Sequence, residues 1–248
     1  MNSHSYKQWL GLIIPLALLL LLTFRMELLE PYLASFNQNN APTIYYRDSF
    51  LNLIGWHLLV VLLSISTATA VAVLCGILVT RPSGKDFLPL ARAVANLGQT
   101  FPPVAVLALA IPSLGFGLKP TFIALFLYGL LPIFENTVTG LQQTPKNVLE
   151  AARGMGMSSR QQLLHVELPL AMPIIIAGIR ISAIVSIGTA TIGSTVAAKG
   201  LGEVIIAGLL TDNMAFLLQG GIIVALIAIV VDSLFQKLES QFALTESK

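Results

Sequence analysis

Residues 150–169 read EAARGMGMSSRQQLLHVELP, a polar stretch that lies between two strongly apolar parts of the chain. It begins with Glu-Ala-Ala, has a glycine at Gly156 and ends in Val-x-Leu-Pro. A polar loop of this length at a membrane face needs a reason to exist, and docking of a soluble partner is one such reason.

The composition of the whole chain is typical of an integral membrane protein. Of its 248 residues, 55% are hydrophobic and 10% are charged, and the mean hydropathy is +0.82. Soluble domains carry about 25% charged residues, so a soluble fold of this size would leave too much apolar surface in water. The bilayer is therefore the expected solvent.

Cysteine and histidine indicate neither a disulfide nor a metal site. The single cysteine, Cys75, lies inside an apolar run, so no disulfide can form within the chain. His4, His57 and His165 lie far apart and have no cysteine nearby. We therefore predict no metal site, and we interpret His57 as a packed or interfacial residue rather than a proton relay.

Six segments are apolar and long enough, at about 20 residues each, to cross a bilayer as helices. They are residues 9–28, 51–79, 93–114, 121–141, 173–195 and 214–235. The first has the length of a signal sequence, but no small-x-small cleavage site follows it, so we expect a retained helix. The predicted fold class is an all-α membrane protein with about six transmembrane helices.

Lysine and arginine predict the orientation, because they are enriched in cytoplasmic loops. With the N-terminus inside, nine of them fall on the cytoplasmic side and four on the outer side. The nine are Lys7, Arg81, Lys85, Arg92, Lys146, Arg153, Arg160, Lys237 and Lys248, and the four are Arg25, Arg47, Lys119 and Lys199. Both termini and the loop 142–172 are therefore predicted to be cytoplasmic.

The chain divides into three predicted regions, which are a first helix with an outer loop (1–50), a transmembrane core (51–235) and a cytoplasmic tail (236–248). In the outer loop, Tyr45 and Tyr46 are expected at the level of the lipid headgroups, where amphipathic rings are favoured. A short helix lying at the outer surface is expected within residues 199–213.

Local signals predict two short helices in the loop 142–172. Thr144 is expected to cap a helix whose first position is Pro145, where a missing N–H costs nothing. This helix should stop near Gly154 and Gly156, and Gly156 can adopt a left-handed turn at low cost.

The second helix is expected to begin at Ser158, with Gln161 completing a capping box. It should end before Leu168, since the residue before proline disfavours the helical region. The small side chains of Ala151, Ala152 and Gly156 would let another backbone approach closely. Local signals alone fit both an amphipathic connector on the membrane surface and a docking site.

The spacing of this loop favours docking. Glu-Ala-Ala, three residues, glycine, nine residues, an aliphatic residue, one residue and Leu-Pro resemble the cytoplasmic signature of permease subunits in bacterial ABC importers. Val166 stands where isoleucine is usual, which is a conservative difference. GQTFPPVAVLALAIPSLGFG (98–117) and IGTATIGSTVAAKGLG (187–202) are similar to osmoprotectant importers for glycine betaine, carnitine and choline, above all to the YehW-type permeases of glycine betaine systems.

This resemblance implies a MetI-like permease fold in a bacterial inner membrane, with a cytoplasmic coupling helix in the loop 142–172. It implies a separate cytoplasmic ATPase that binds the ATP, so that this chain carries no cofactor and no catalytic residue. It also implies a periplasmic or extracellular solute-binding protein and a second permease subunit, either a different chain or a copy of this one, with a different chain favoured. Nucleic acid is not an expected partner. The residues that would seat the ATPase are Glu150, Ala151, Ala152, Gly156, Ser158, Leu163, Val166, Leu168 and Pro169.

A run of small polar residues in the fifth span invites two interpretations. Residues 188–195 superficially resemble a phosphate-binding loop but lack its lysine and lie in an apolar span, so nucleotide binding is disfavoured. Small residues and hydroxyls serve close helix packing in membranes, and they equally suit a polar pathway. The candidate lining residues are Ser182, Ser186, Thr189, Thr191 and Thr195.

Residues Gln99, Thr100, Pro102 and Pro103 should interrupt the third span, because each proline removes a hydrogen-bond donor. Such breaks are tolerated where they are buried in protein or line a cavity. A structural kink and a gate or solute contact both remain open.

Charged residues in spans are by default functional hypotheses. Glu135 in the fourth span and Arg180, expected near the start of the fifth, could pair with each other. The favoured alternative is that each side chain extends to the nearby inner interface.

Other functions are less compatible with the sequence. A self-contained secondary carrier or channel usually shows mid-membrane charges and repeat symmetry, and neither is convincing here. An embedded enzyme would need a nucleophile–base pair or a metal cluster, and the sequence presents neither. A cationic quaternary ammonium is best held by an aromatic cage. With few tyrosines and tryptophans in the spans, we expect selectivity to reside in the binding protein.

Overall fold

The structure is a computed structural model that describes residues 3–36 and 41–243. Within these ranges the regular structure is entirely helical, which confirms the predicted fold class. The α-helices are α1 (Ser3–Phe24), α2 (Glu30–Leu33), α3 (Phe50–Thr80), α4 (Leu88–Thr100), α5 (Pro103–Leu114), α6 (Leu118–Gln142), α7 (Lys146–Gly154), α8 (Ser159–Gln162), α9 (Leu168–Thr189), α10 (Gly202–Leu210) and α11 (Met214–Ala243). Short 3₁₀ helices lie at Met26–Leu29, Ala34–Phe36, Lys85–Phe87 and Ala190–Val196, and a π-helical turn lies at Leu163–Glu167.

Four continuous helical stretches in the described residues are long and apolar enough to cross a membrane. They are Phe50–Thr80, Leu118–Gln142, Ser159–Val196 and Met214–Phe242. Two further candidates are bent, by 99° between Gly11–Phe24 and Met26–Phe36 and by 93° between Lys85–Thr100 and Pro103–Leu114. The predicted six spans are reached if each bent pair is counted as one span.

Several predicted boundaries move. The first helix ends at Phe24 rather than at residue 28, because the chain leaves helical geometry at Arg25 (φ −139°). The last helix continues through Ala243, so residues 236–243 of the predicted tail are helical. Residues 244–248, with Lys248, lie outside the described part of the chain, as do residues 37–40 of the outer loop.

The helices are grouped into two compact units. The first comprises the described residues of 1–64, 101–125 and 183–234, and the second those of 65–100, 126–182 and 235–248. In the second unit, α3 and α6 approach closely through small residues. Ala68 and Ala72 of α3 share a buried cluster with Ile133, Phe134 and Val138 of α6. Small residues are the usual means of close packing between membrane helices.

Packing in the first unit also depends on small residues. A Cβ at Gly193 would lie 2.5 Å from a side-chain atom of Thr121, and a Cβ at Gly202 would lie 2.0 Å from the carbonyl oxygen of Thr191. The glycine-rich segment after α9 is therefore packed tightly against its neighbours, as the packing interpretation of residues 188–195 requires.

Gly98 provides a direct test of helix packing in the second unit. A Cβ at this position of α4 would lie 2.5 Å from the carbonyl oxygen of Leu127, which cannot rotate away. We expect Gly98→Ala to destabilise the protein by about 1–3 kcal/mol through overpacking, measured as a lower unfolding midpoint in detergent. Gly55→Ala is the matched control, because nothing lies within 4 Å of its Cβ position in α3. Equal midpoints for the two variants would contradict the prediction.

Candidate functional site

The loop 142–172 begins with a helix that starts one residue later than predicted. Pro145 has extended geometry (ψ 133°) and is itself the N-cap of α7. Its carbonyl oxygen accepts bonds from the backbone N–H groups of Val148 at 3.1 Å and Leu149 at 3.2 Å. Thr144 is therefore not the cap, and its buried hydroxyl has no hydrogen-bond partner in the described residues. Because proline lacks an N–H, it tolerates the cap position as well as the first helical one.

The turn after α7 is a Schellman motif, as the glycine signal predicted. Gly156 has φ +80°, in the left-handed region. The N–H of Met157 donates to the carbonyl of Ala152 at 3.1 Å, and the N–H of Gly156 donates to that of Arg153 at 2.9 Å. These two bonds define the motif and satisfy the last carbonyl groups of the helix.

The predicted capping box at the start of α8 is confirmed. The backbone N–H of Ser158 donates to Oε1 of Gln161 at 2.9 Å, and the backbone N–H of Gln161 donates to Oγ of Ser158 at 3.4 Å. The buried Gln162 adds a bond from Nε2 to the carbonyl of Met157 at 2.8 Å. Residues 145–162 comprise α7 with its N-cap, the turn at Gly156 and α8, and we call this segment the elbow.

The prediction that the second helix ends before Leu168 is wrong. A π-helical turn at Leu163–Glu167 continues α8 directly into α9. A proline in a helix clashes with the carbonyl four residues earlier, and the wider π turn relieves that clash while Pro169 occupies the first turn of α9. The elbow is thus joined without a break to a membrane-spanning helix.

The predicted coupling residues divide into an exposed and a packed group. The exposed ones are Glu150, Ala151, Gly156, Ser158 and Pro169. Ala152 is buried within the subunit at 1% exposure, so its small side chain allows packing inside this chain rather than approach by another. Val166 is half-buried, and Leu163 and Leu168 pack against the buried cluster of Leu141, Ala171 and Ile175.

A partly buried ion pair that sequence reasoning missed holds the segment after the elbow. Both Nη atoms of Arg81, the residue after α3, donate to the carboxylate of Glu167 in the π turn, with an Nη1–Oε1 distance of 3.0 Å. The side chain of Glu167 is 9% exposed and that of Arg81 is 26% exposed. The only sequence signal was a carboxylate set immediately before an apolar Leu-Pro.

The pairing of Glu135 with Arg180, which was the less favoured of the two interpretations, is wrong. Glu135 of α6 accepts two bonds from Arg92 of α4, at 2.5 and 2.9 Å. Arg180 lies well inside α9, not near its start, and donates to Glu239 at 3.2 Å. Each charge has found a partner on a different helix, which no sequence spacing could reveal.

The candidate pathway residues differ in their hydrogen bonds. Ser182 is buried and donates to the carbonyl of Gly129 at 2.9 Å, which is a packing contact. Thr191 donates to the carbonyl of Gly188 at 2.7 Å, and Thr195 to that of Ile192 at 2.6 Å. Thr189 is half-buried. Ser186 is also buried, and its hydroxyl finds no partner among the residues that the structure describes.

The interruption of the third span is confirmed and is far sharper than a kink. The chain turns by 93° between α4 and α5. Pro102 is the N-cap of α5 and Pro103 is its first residue, so neither missing N–H disturbs a helix interior. On the other side of the bend, Gln99 donates to the carbonyl of Tyr128 at 3.1 Å, and Thr100 to that of Asn96 at 3.0 Å.

His57 is a packed core residue, as predicted. Its side chain is 1% exposed, and Nε2 lies 3.0 Å from the carbonyl oxygen of Ile187.

The expectation that both Tyr45 and Tyr46 lie at the headgroup level is wrong for Tyr45 and stays a prediction for Tyr46. Tyr46 is exposed, but Tyr45 is buried and makes edge-to-face contacts with Phe216 at 5.4 Å and Phe50 at 6.5 Å. Its backbone N–H donates to Oε1 of the fully buried Gln219 at 3.1 Å. Buried polar contacts with α11 hold the loop down and take Tyr45 away from the surface.

An ion pair links the predicted outer loop to the segment before α10. Asp48 accepts bonds from Nδ2 of Asn52 at 2.9 and 3.0 Å, and from Nζ of Lys199 at 2.8 Å. The bond from Asn52, and then that from Lys199, hold the pKa of Asp48 below its usual value. The same carboxylate raises the pKa of Lys199. The segment 199–213 contains the predicted short helix, α10.

Known proteins are similar in sequence to this chain over most of its length. The family described as "Binding-protein-dependent transport system inner membrane component" matches residues 72–243. The osmoprotectant import permease protein OsmY of Salmonella typhimurium is 41% identical over 178 residues, which are 72% of this chain and 75% of that protein. The glycine betaine/carnitine/choline transport system permease protein OpuCB of Bacillus subtilis is 39% identical over 198 residues, which are 80% of this chain and 88% of that protein.

Solved structures of ABC transporters have the same fold. An inward-facing structure of the MetNI methionine ABC transporter matches with a TM-score of 0.69 at 20% identity, over 77% of this chain and 95% of that one. An amino acid ABC transporter crystallised with histidines matches with a TM-score of 0.60 at 21% identity, over 78% of this chain and 92% of that one. The predicted MetI-like architecture is confirmed.

Proposed function

This chain belongs to the family of binding-protein-dependent transport system inner membrane components and is a permease subunit of an ABC importer, and we propose that its importer takes up a quaternary ammonium osmoprotectant such as glycine betaine. One observation carries this substrate class. Relatives that are 39–41% identical over at least 72% of the chain are named for osmoprotectant, glycine betaine, carnitine and choline transport.

The elbow is the part of this subunit that docks the ATPase. Its exposed face carries Glu150, Ala151 and Gly156, and Met155 at the tip is 72% exposed. The backbone on both sides of Met155 is held by the Schellman turn and the capping box, so docking costs little backbone conformational entropy. ATP is bound and hydrolysed by the partner, and this chain contributes neither a cofactor site nor catalytic residues.

Motion of the elbow is passed on through the ion pair of Arg81 with Glu167. The pair of Arg81 and Glu167 joins the end of α3 to the π turn. Leu163, in the same turn, packs against the buried cluster of Leu141, Ala171 and Ile175. A push on the elbow therefore shifts the ends of two spanning helices together. Rigid packed elements of this kind can carry coupling between distant sites.

The remaining partners follow from the family and from the charge distribution. The subunit works with a second permease chain, different from itself, and receives solute from a periplasmic or extracellular binding protein. The excess of lysine and arginine on one side supports an orientation with both termini in the cytoplasm. The rings of Tyr45, Phe50 and Phe216 are buried, and Tyr45 packs edge-to-face against the other two. We place the main recognition of the solute in the binding protein.

Uptake in cells lacking this gene tests the substrate class. We expect deletion to lower the uptake of radiolabelled glycine betaine under osmotic stress by at least about tenfold, with restoration by the intact gene. Unlabelled choline and carnitine should compete, whereas a neutral amino acid should not, because a cation–π site selects a quaternary ammonium group. Unchanged uptake of all three solutes in the deletion strain would refute the proposed substrate.

Reconstitution in liposomes distinguishes the ATP-driven importer from the main alternative, a self-contained carrier. Liposomes that contain this chain alone should not accumulate solute with any ion gradient. Liposomes that contain the whole importer and the binding protein should do so only with ATP. Transport by the isolated chain would overturn the assignment of the elbow as a coupling element.

A further inference from the structure

An apolar groove runs between α3 and the beginning of α6. Its volume is about 330 Å³ and its walls come from both helices and the end of α5. They are formed by Leu59, Val60, Leu63, Leu114, Leu118, Lys119, Phe122 and Ile123. Val60 forms the buried floor, whereas Leu59 and Leu63 are 43% and 52% exposed. Lys119 is the one charged residue of the lining.

Lys119 has no partner in the described part of the protein. Among residues 3–36 and 41–243, no carboxylate lies within ion-pair distance of its ammonium group and no hydrogen bond to it is formed. By contrast Lys199, another lysine of the predicted outer side, is paired with Asp48. The side chain of Lys119 is exposed, so its ammonium group is free to bind an external anion.

The length of α3 places the groove at the edge of the bilayer. Its 31 residues span about 46 Å, which exceeds the hydrocarbon core by about 16 Å. A tilt of about 20° removes only about 3 Å of this excess. The ion pair of Arg81 with Glu167 directly follows Thr80 and marks the cytoplasmic boundary of the hydrocarbon core. Most of the excess length of α3 therefore lies beyond the outer boundary of that core.

The hydrocarbon core then begins about ten residues after Phe50, near Leu59 and Val60. The groove descends from this level, and Lys119, the second residue of α6, is part of its lining. An acyl chain would lie against Leu63, Phe122 and Ile123, while the headgroup would meet the ammonium group.

We infer that this groove binds a phospholipid of the outer leaflet whose anionic headgroup is held by Lys119. The lipid would be a fixed component of the transporter rather than bulk solvent. The inference rests on the orientation given under Proposed function but not on the identity of the transported solute.

The test uses the assembled importer, purified with its partner subunits and placed in phosphatidylcholine vesicles. A trace of phosphatidylglycerol with a photoreactive acyl chain is the probe, and labelled peptides are mapped by mass spectrometry. We expect labelling at residues 59–63 and 118–123. Lys119→Gln should lower it about fivefold, as expected for one lysine near a charged lipid surface, while Lys119→Arg should retain it.

Lys85→Gln is the matched control, because Lys85 is exposed but lies outside the groove. It should leave groove labelling unchanged. Equal labelling by a phosphatidylcholine probe, or labelling that Lys119→Gln does not reduce, would show that the headgroup is not recognised and would overturn the inference. Absence of label from the groove would overturn it as well, and would assign the groove to the second permease subunit. Uptake by the same preparation checks separately that the importer is intact.

Discussion

Gly156→Asp is expected to abolish solute uptake while leaving membrane insertion unchanged. Gly156 lies on the exposed side of the elbow, and nothing lies within 4 Å of its Cβ position, so the subunit itself has room for a side chain. On the proposed docking face, the new carboxylate would be buried against the ATPase without a partner. An unpaired charge in an interface costs about 2–5 kcal/mol, which weakens docking by about 30-fold or more.

Two other substitutions separate charge from backbone strain at this position. Asn is isosteric with Asp and tolerates the left-handed region, so Gly156→Asn should keep most of the uptake. Gly156→Ala has no charge but must adopt φ +80°, at a cost of about 1 kcal/mol. We expect intermediate uptake for Ala, the lowest for Asp, and reduced copurification of the ATPase only with Asp. Equal activity of the Asp and Asn variants would remove the elbow from the docking interface.

Local chemistry made the elbow predictable. The left-handed turn at Gly156 and the capping box of Ser158 and Gln161 depend on hydrogen bonds within a few residues. Neighbouring residues in the sequence are therefore enough to predict them. The error at Pro169 arises because a local rule was applied to a feature that depends on packing. A rule for α-helix geometry does not anticipate a π turn, whose formation depends on how the following helix packs.

Contacts between helices were not predictable in the same way. Arg81 and Glu167 are 86 residues apart, and Arg92 and Glu135 are 43 apart, so each pair depends on the packing of spans that apolar composition leaves unspecified. For Glu135 and Arg180 the sequence favours extension to the inner interface, and nothing in it indicates which helices provide their partners. The sharp bend at Pro102 was visible because proline acts on its own backbone, whereas its 93° magnitude was not.

Glu167→Gln should have the second large effect, because it leaves the guanidinium of Arg81 without its counter-charge. Breaking a fully buried pair costs about 3–5 kcal/mol, and the 26% exposure of Arg81 reduces this to about 1–3 kcal/mol. For a chain of this size we expect the unfolding midpoint in detergent to fall by about 2–4 °C per kcal/mol. Uptake should fall by a larger factor than the loss of folded protein explains, because the ion pair that joins α3 to the π turn is lost.

Glu135→Gln is the matched control for that loss. It removes the same kind of arginine partner from a pair whose side chains are 45% and 31% exposed, and such pairs contribute about 0–1 kcal/mol. The double variant Arg81→Gln/Glu167→Gln then distinguishes stability from transmission. With no charge left unpaired, it should recover most of the midpoint, since removing both partners is far less costly than removing one. If the ion pair transmits motion, uptake and solute-stimulated ATP hydrolysis should remain low in this stable double variant. Recovery of uptake together with stability would show that the pair only holds the fold, and that the elbow moves the spanning helices through its apolar contacts alone.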